Sequence, residues 1–490
     1  MQGNSKSKVS KGSRFAVSFD EYTGRNRRYM TVNVHEGPKV WYNLGMIRVW
    51  AGQTAETLLR LVTSRLEDFG ITLERHVVAL VTDGASIMCK VGRIAPCDHV
   101  ICLAHTLHLA VSDVLYKKKR KANEEVPEEE CEISFDEDVL EECESGDECD
   151  LMPDDDEGCL REAEMEGEVD SLSSTIEPAV NKIRKIVRKF RKSPVKNDQL
   201  QKSVKLKFGK ELTLMLDCKT RWSSLCSMIE RFLKLEPVVN EVIDELNIAK
   251  VEKLSLIETK LMNDLVRALE PFKVATEFLC RRDSDLSKSE KIVRFAISKL
   301  DGMNTHISEL LSESLKRRYL DRRNKGSTLS LMKFYSDPTV MDEDSTGDFK
   351  MPSKLTIVKT SKALHGRLFP VQDPEVSSVA EKRSEGDLAA KPSLSNELEN
   401  LLSKSPSQHE RRVDNTFAKE VNLYMAGSEQ TSSLKMIHQA LMSVPPTSVE
   451  AERVFSASGL FLTKLRCQLS DITIDRLIFL RNYFKNGLNG

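Results

Sequence analysis

The feature that most constrains the fold is a block of negative charge in the first half of the chain. Residues 124–170 hold 24 acidic side chains and one basic side chain, Arg161. Charges of one sign at this density repel one another and bury too little apolar surface to fold, so we predict a disordered acidic loop. Ordered structure must therefore form on both sides of this interruption.

The negative charge of the acidic block offsets an excess of positive charge in the rest of the chain. The whole chain has a net charge of -2, so the part outside the block is strongly basic. A basic folded part favours a polyanionic partner, most simply nucleic acid, although unmatched lysines and arginines also occur on inert surfaces. Charge alone leaves both interpretations open.

Composition excludes several protein classes. The 490 residues suffice for two or three domains. No run of about 18 apolar residues occurs, so we expect no membrane span. Residues 1–12 are polar and basic and lack the apolar core of a secretory signal, which predicts an intracellular protein. The 11 cysteines are odd in number and irregularly spaced, which predicts reduced thiols rather than a disulfide framework.

The N-terminal part has an α/β pattern. Residues 14–52 contain three consecutive strand-like segments joined by short turns, which predicts an antiparallel meander. Residues 54–69 have helical spacing, and residues 76–86 form a buried strand that runs into a turn. A short helix near residues 87–91 follows, and residues 99–116 predict a short strand and a helix. Later strands of such a unit join the sheet in parallel.

Two aspartates are expected at adjacent strand ends. We expect Asp20 to end the first strand and Asp83 to end the fourth, and these two strands are neighbours in a sheet of this order. Paired carboxylates are costly unless a cation neutralises them, and Mg²⁺ prefers oxygen ligands. The alternative is structural: Asp20 begins a turn and Asp83 caps the helix that follows Gly84.

Five sequence segments resemble the transposases of the hAT superfamily and their domesticated zinc-finger BED relatives. They are FDEYTGRNRRYMTVNVH, LVTDGASIMCKVGR, CLAHTLHLAV, TRWSS and SVPPTSVEAERVFSASGLFLTKLRCQLSDITIDRLIFLRNYF. The resemblance implies a ribonuclease-H-like α/β core that is split by a large all-helical insertion. No BED finger precedes the strand that begins near Arg14, from which we expect a domesticated or truncated protein.

The resemblance also implies domain limits. Residues 1–116 would form the first part of the core, and residues 117–174 a basic patch followed by the acidic disordered insertion. Residues 175–335 would form the helical insertion, in agreement with their periodicity, and residues 336–410 a low-order linker with one short helix. Residues 411–490 would form the C-terminal dimerisation region, which completes the core.

The family's DDE triad can be matched residue by residue. Asp20 resembles the first acid, Asp83 the second and Glu452 the third, and together they would hold the Mg²⁺ or Mn²⁺ ions of an active enzyme. Glu450 competes with Glu452 for the third role. Thr447 and Glu450 have capping-box spacing, which gives Glu450 a structural role and favours Glu452.

A cluster of cysteine and histidine near residue 100 does not predict zinc. Cys97, His99, Cys102, His105 and His108 lie close in sequence, but their spacing is not that of a zinc finger, and a strand-to-helix crossing separates the side chains. We therefore expect no structural zinc. Cys102 and His105 match the family's CxxH element, which implies that they support the core beside the catalytic site.

Several residues are candidates for contact with DNA. Arg221 and Trp222 match the family's Arg-Trp element, and an exposed tryptophan stacks on unpaired bases, but tryptophan is also common in cores. A basic amphipathic helix supplies possible phosphate contacts, with a solvated face as the alternative. Its candidate residues are Lys182, Arg184, Lys185, Arg188 and Lys189. The basic run KKKRK begins at Lys117 and ends at Lys121, and it predicts binding of a nuclear import receptor and a nuclear location.

The C-terminal apolar residues predict a homodimer or a higher homo-oligomer. The residues that the resemblance assigns to this interface are Phe455, Leu460, Phe461, Leu462, Leu477, Leu480, Tyr483 and Phe484. Packing within one chain is the alternative. The leading function hypothesis is a domesticated or truncated transposase-like nuclear protein that dimerises and associates with DNA. The alternative is an active transposase that cleaves and transfers DNA strands with Mg²⁺.

Overall fold

The computed structural model describes most of the chain outside the acidic block. The described residues are 12–24, 27–37, 39–117, 171–218, 222–248, 253–325, 327–343, 349–370, 408–458 and 469–487. The predicted acidic loop lies outside these ranges, as do Lys118–Lys121 of the basic run, Arg221, Leu460, Phe461 and Leu462.

The N-terminal part forms one mixed five-stranded sheet. Strands β1 (Phe15–Gly24), β2 (Arg27–Gly37) and β3 (Val40–Val49) are antiparallel, as predicted. Strands β4 (Val77–Thr82) and β5 (Asp98–Ile101) follow, and the order in the sheet is β3-β2-β1-β4-β5. Strand β4 runs parallel to both β1 and β5. The predicted neighbourhood of the first and fourth strands is therefore confirmed.

Helices cover both faces of the sheet. Helix α1 (Ala55–Glu67), the single turn α2 (Leu73–His76) and helix α3 (Ser86–Ile94) pack on the face that includes Val17 and Leu80. Helix α4 (Leu103–Leu115) packs on the opposite face, which includes Ala16 and Val81. Because β4 is buried on both faces, its sequence VVALVT is a continuous apolar run rather than an alternating one.

A short two-stranded ladder pairs the residues just before the acidic block with those just after it. Strand β6 (Tyr116–Lys117) pairs antiparallel with β7 (Ser171–Leu172), and Tyr116 lies opposite Leu172. The backbone before the block therefore lies next to the backbone after it. The chain then enters helix α5 (Glu177–Arg191) within a few residues.

The predicted helical region is confirmed. Helices α5, α6 (Pro194–Phe208), α7 (Trp222–Glu245) and α8 (Leu256–Leu279) lead into α9 (Leu286–Asp301), α10 (His306–Lys325), α11 (Thr328–Ser336) and α12 (Val340–Glu343). Helix α8 begins with a capping box of Ser255 and Glu258. These helices share a continuous apolar core with α4 and the sheet. None of the described helices has the length and apolar content needed to span a membrane.

The region from 336 to 410 contains more structure than the sequence predicts. Helix α13 (Lys354–Leu368) is 15 residues long and packs against α2 and β4. Its buried residues, Ile357, Ser361, Leu364 and Leu368, recur at intervals of three and four, which is the stripe of a core-facing helix. The polar composition on both sides of this stripe conceals it in the sequence.

The C-terminal region returns to the sheet. Helices α14 (Gln408–Met425) and α15 (Ser432–Leu441) pack on the helical part, and α16 (Val449–Ser458) packs on β1 and β2. Helix α17 (Asp471–Gly487) covers β3. Asp475 fixes it there, because its carboxylate accepts a hydrogen bond from the Met46 N–H at 2.8 Å and pairs with Arg65 at 2.9 Å.

Close approach at this contact requires glycine. Gly45 has a φ of +97°, and a Cβ built on it would lie 2.0 Å from Oδ1 of Asp475. Any larger residue at position 45 would therefore be strained and would displace the carboxylate that anchors α17.

Candidate acidic site and basic surface

Asp20 on β1 and Asp83 just after β4 occupy equivalent positions along two neighbouring parallel strands. Ser18 on β1 lies opposite Val81 on β4, and two residues further along each chain come Asp20 and Asp83. Asp83 directly follows the end of β4. The predictions that Asp20 ends the first strand or begins a turn are both wrong, because β1 continues beyond it to Gly24 and Asp20 pairs with Thr31 of β2.

The third predicted acid is brought to the same site. Burial raises the pKa of Asp20 well above its ordinary value, and the negative charges of Asp83 and Glu452 raise it further. A hydrogen bond from the Glu21 N–H to Oδ1 of Asp20, at 2.8 Å, opposes these effects. Coulombic effects of this size fall off with distance. Asp83 after β4 and Glu452 on α16 are therefore near enough to Asp20 to influence its charge, and we call these three acids the acidic site.

Asp83 also has the structural role that the sequence allows. Its Oδ1 accepts a hydrogen bond from the Ala85 N–H at 3.1 Å, which stabilises the turn before α3. Burial raises the pKa of Asp83, while this hydrogen bond and the charge of Arg322 oppose the increase. The turn contact and the membership of the acidic site are compatible, because the turn uses only one carboxylate oxygen.

The acidic site suits a divalent cation by donor type but not by spacing. Carboxylate oxygens are the ligands that Mg²⁺ prefers. Among the residues that the structure describes, however, no three histidine, cysteine, aspartate or glutamate side chains are grouped closely enough to hold a metal ion. The acids thus interact electrostatically without forming a three-ligand cage.

Sequence reasoning missed a cation at this site. Arg322, on α10 of the helical part, donates a hydrogen bond from Nη1 to the Thr106 hydroxyl on α4. A Cβ built on Gly84, next to Asp83, would lie 2.8 Å from Nη2 of Arg322. Its positive charge opposes the rise in the pKa of Asp83. No local signal marks this residue, because only tertiary packing brings α10 to the end of β4.

Cys102 contacts the segment that carries the third acid. Its Sγ accepts a hydrogen bond from the Ser448 N–H at 3.4 Å, and the Leu103 N–H donates to the Pro446 carbonyl at 3.0 Å. These bonds join the N-terminus of α4 to the residues just before α16. Burial and the charge of Arg322 lower the pKa of His105 to about 3, so its ring is neutral at pH 7. Support of the catalytic site by Cys102 and His105 stays a prediction.

The other two histidines of this segment form hydrogen bonds to different residues, and the remaining cysteine has a raised pKa. His99 bonds to the Thr82 hydroxyl at 2.8 Å and His108 to the Ser112 hydroxyl at 3.3 Å. Burial raises the pKa of the Cys97 thiol to about 12.

Glu450 is engaged by arginines rather than by the predicted capping box. Helix α16 begins at Val449, one residue later than an N-cap at Thr447 requires. The Glu450 carboxylate pairs with Arg453 within the helix and with Arg282 at 3.7 Å. Glu450 therefore has a structural role by a different contact, and it is Glu452 that influences Asp20.

Helices α5 and α6 carry the densest positive charge in the described chain, and we call residues 182–210 the basic helix pair. This stretch contains 12 lysines and arginines and one acid, Asp198. Its cations lie mainly on the solvent side, and the exposed ones are Lys185, Arg188, Arg191, Lys192, Lys202, Lys205, Lys207 and Lys210. The cations on α6 extend the surface beyond the helix that the sequence predicts.

Two of the residues that the sequence predicts to contact DNA form ion pairs within the chain instead. Arg184 is 7% exposed and forms a two-pronged ion pair with Asp217, with Nε 2.9 Å from Oδ1. It lies beside the buried stripe of α5 rather than on the solvent face, so its prediction as a DNA contact is wrong. Lys182 pairs with Glu258 on α8 at 3.0 Å. Lys185 and Arg188 are exposed, and Lys189 is half-buried.

Trp222 belongs to the apolar core. It is 6% exposed and packs edge-on against Phe272, with ring centroids 6.4 Å apart. Of the two alternatives left open by the sequence, the structure thus favours packing over stacking on a base.

The predicted dimerisation residues divide into two groups. On α17, Ile474 and Ile478 are buried toward the sheet, whereas Leu480, Tyr483 and Phe484 are exposed and Leu477 is half-buried. Phe455 on α16 is different, because it is buried within the chain and stacks on Tyr22 at 5.1 Å. Its place on an outer interface is therefore not supported.

One comparison with known proteins identifies a relationship. Residues 160–268 match the model of the ZBED1 RNase-like helical domain. No curated protein matches the chain. The matched segment includes the whole basic helix pair together with α7 and half of α8. This similarity supports descent of the protein from the ZBED and hAT group of transposase-derived proteins.

Proposed function

We propose that the protein is a hAT transposase-derived nuclear protein that associates with DNA and dimerises through its C-terminal region. The observation that carries the proposal is the basic helix pair, with 12 basic residues and one acid in 29 positions that lie inside the ZBED1-like segment. Each phosphate neutralised by such a surface releases counterions, which gives strong and salt-dependent binding without sequence selectivity.

Fluorescence anisotropy with a labelled DNA duplex tests the DNA association. The variant carries Lys185→Gln, Arg188→Gln and Lys202→Gln, which remove three exposed cations of the basic helix pair. We expect affinity in about 0.1 M salt to fall by roughly 10- to 30-fold, and the slope of log K against log salt to become shallower by about three.

The matched control removes three exposed cations elsewhere, through Lys354→Gln, Lys359→Gln and Lys419→Gln. It has the same net charge, and we expect it to keep nearly the affinity of the wild-type protein. Equal losses in the two variants would show that net charge, rather than the basic helix pair, determines binding, and would overturn the assignment of this surface.

The exposed face of α17 supports dimerisation. Leu480, Tyr483 and Phe484 are 46, 42 and 61% exposed on a helix whose opposite face is buried against the sheet. Sedimentation velocity of the wild type and of a Leu480→Ser, Tyr483→Ser, Phe484→Ser variant tests the proposal. A dimer that the variant loses is the expected result, and a monomeric wild type at micromolar concentration would contradict it.

Nuclear import through the basic run is the remaining part of the proposal. A tagged protein should accumulate in the nucleus, and substitution of Lys117 and the other residues through Lys121 by glutamine should leave it in the cytoplasm. Nuclear accumulation of both forms would remove the import role of this run.

A second candidate function is metal-dependent DNA strand cleavage, and the electrostatic influence of Asp83 and Glu452 on Asp20 supports it. Calorimetric titration with Mg²⁺ or Mn²⁺ compares the wild type with an Asp20→Asn, Asp83→Asn double variant, first alone and then with bound duplex. Binding and nicking that the double variant loses would establish this function. The absence of both with DNA present would leave the protein a DNA-associated dimer.

A further inference from the structure

The basic helix pair lies close in sequence to the acidic block, which carries the densest negative charge in the chain. The ladder between Tyr116 and Leu172 closes the acidic block, and α5 begins at Glu177. Residues 124–170 hold 24 acidic residues, twice the number of cations in the basic helix pair. Only residues 171–181 therefore separate the two regions of opposite charge in the sequence.

We propose that residues 124–170, the acidic segment, bind the exposed cations of the basic helix pair in the same chain and compete there with DNA. This inference rests on the proposed DNA association and adds its regulation. The acidic segment would act as a tethered substitute for the phosphate backbone, so the DNA affinity of the whole chain is lower than that of the basic surface alone.

The reach of the acidic segment is sufficient. Helix α5 has 15 residues and is therefore about 22 Å long. Half of the acidic segment, about 23 residues, can span at most roughly 75 Å of extended backbone, which exceeds the length of α5. Because the tether begins and ends at one ladder, the local concentration of carboxylates near the cations is in the range of roughly millimolar.

The charges of the surface favour reversible rather than permanent contact. The cations are exposed, and a solvent-exposed ion pair contributes only about 0–1 kcal/mol because water and salt screen it. Lys205 illustrates this, since it already lies 3.8 Å from Glu211 with both side chains about two-thirds exposed. Many weak contacts hold the acidic segment in place, and a duplex that offers more phosphates displaces it.

Zero-length crosslinking tests the contact without DNA. A carbodiimide joins a carboxylate to a lysine amine only where the two groups touch, and mass spectrometry then maps the pairs in the full chain. We expect crosslinks within one chain from the acidic segment to Lys185, Lys202 and Lys207. The charge-preserving variant Lys185→Arg, Lys202→Arg, Lys207→Arg should lose these crosslinks and keep its DNA affinity.

Measurement of DNA affinity tests the competition. In one variant all glutamates and aspartates of the acidic segment become glutamine and asparagine, and in a matched control their order is scrambled at constant charge. The neutral variant should bind a duplex about tenfold more tightly in roughly 0.1 M salt. It should also show a steeper salt dependence than the wild type, whereas the scrambled chain should behave like the wild type.

The two experiments separate this inference from the proposed function. Crosslinks to the basic helix pair without DNA binding by any variant would sink the DNA association but keep the contact. Crosslinks only between two chains, or only to another basic surface, would overturn the inference. Equal DNA affinity of the wild-type and neutral chains would also overturn it, even if both bind DNA well.

Discussion

The acidic site and the basic helix pair both gather charges of one sign, but Asp20, Asp83 and Glu452 are half-buried, whereas most cations of the helix pair are exposed. In the acidic site, burial and neighbouring carboxylates raise the pKa of Asp20, and Arg322, a cation from another part of the chain, approaches Asp83. On the basic helix pair most cations are exposed to solvent, where repulsion is screened. Buried like charges therefore require a local partner, whereas exposed like charges attract any polyanion.

Helix α5 carries a buried cation, Arg184, next to an exposed one, Lys185. This pair gives the largest expected effect on the free energy of unfolding. Arg184→Met leaves Asp217 buried without its ion pair, which should lower the free energy of unfolding by about 3–5 kcal/mol. The neighbouring change Lys185→Met should alter it by no more than about 0.5 kcal/mol. Urea denaturation of both variants makes the comparison.

The double variant Arg184→Met, Asp217→Leu provides the control for this ion pair. It removes both charges, so it should recover a large part of the lost stability. If Arg184→Met were as stable as the wild type, burial of the ion pair with Asp217 would not be what distinguishes Arg184 from Lys185.

Neutralising an acid in the acidic site should stabilise the fold. The pKa of Asp20 is higher in the folded than in the unfolded chain, so its favourable contribution is present below pH about 4 and is lost as pH rises through the folded pKa. Asp20→Asn should thus raise the melting temperature at pH 7 by a few degrees, and the gain should shrink toward pH 4.

Thermal melts between pH 4 and pH 8 measure this effect. Asp198→Asn is the matched control, because Asp198 is exposed on the basic helix pair. We expect that control to show no gain. A lower melting temperature for Asp20→Asn than for the wild type at pH 7 would mean that ionised Asp20 is stabilised by a partner, against the repulsion inferred here.

The role of Arg322 as the local cation gives a smaller effect. A double-mutant cycle with Arg322→Gln and Asp83→Asn should yield a coupling free energy of about 1 kcal/mol. Arg317 on the same helix pairs with Asp113 and is largely exposed. A second cycle that combines Arg317→Gln with Asp83→Asn should give a coupling free energy near zero. Equal coupling in the two cycles would show that Arg322 has no specific interaction with Asp83.

The smallest expected effect is that of one exposed cation. Lys185→Gln should leave the free energy of unfolding unchanged and reduce the salt slope of DNA binding by about one. Anisotropy titrations at four salt concentrations measure the slope. An unchanged slope would place Lys185 outside the surface that contacts phosphate.

Local pattern predicted the sheet and much of the helical region. The run VVALVT and the three preceding strands determined which strands are neighbours, and strand order then placed Asp20 beside Asp83. Parallel strands align their ends, so this part of the acidic site follows from sequence alone. Glu452 required the resemblance, because more than 360 residues separate it from Asp83.

Residues whose role depends on distant packing were not predictable in this way. Arg184 and Lys185 are neighbours on a basic helix, and only the position of Asp217 makes one structural and the other exposed. Arg322 reaches the acidic site because α10 packs on α4. Helix α13 was concealed for a related reason, since its apolar stripe is short compared with the polar sequence on both sides.

The anchoring of α17 also determines when the protein can finish folding during synthesis. Strands β2 and β3 emerge from the ribosome early, but Tyr29 and Met46 are covered by Ile474 and Ile478 from the last helix. The Met46 N–H bonds to a carboxylate 429 positions later in the chain. Until α17 has been synthesised, this face of the sheet is exposed, so nascent chains that stop before α17 should depend on chaperones and aggregate when released.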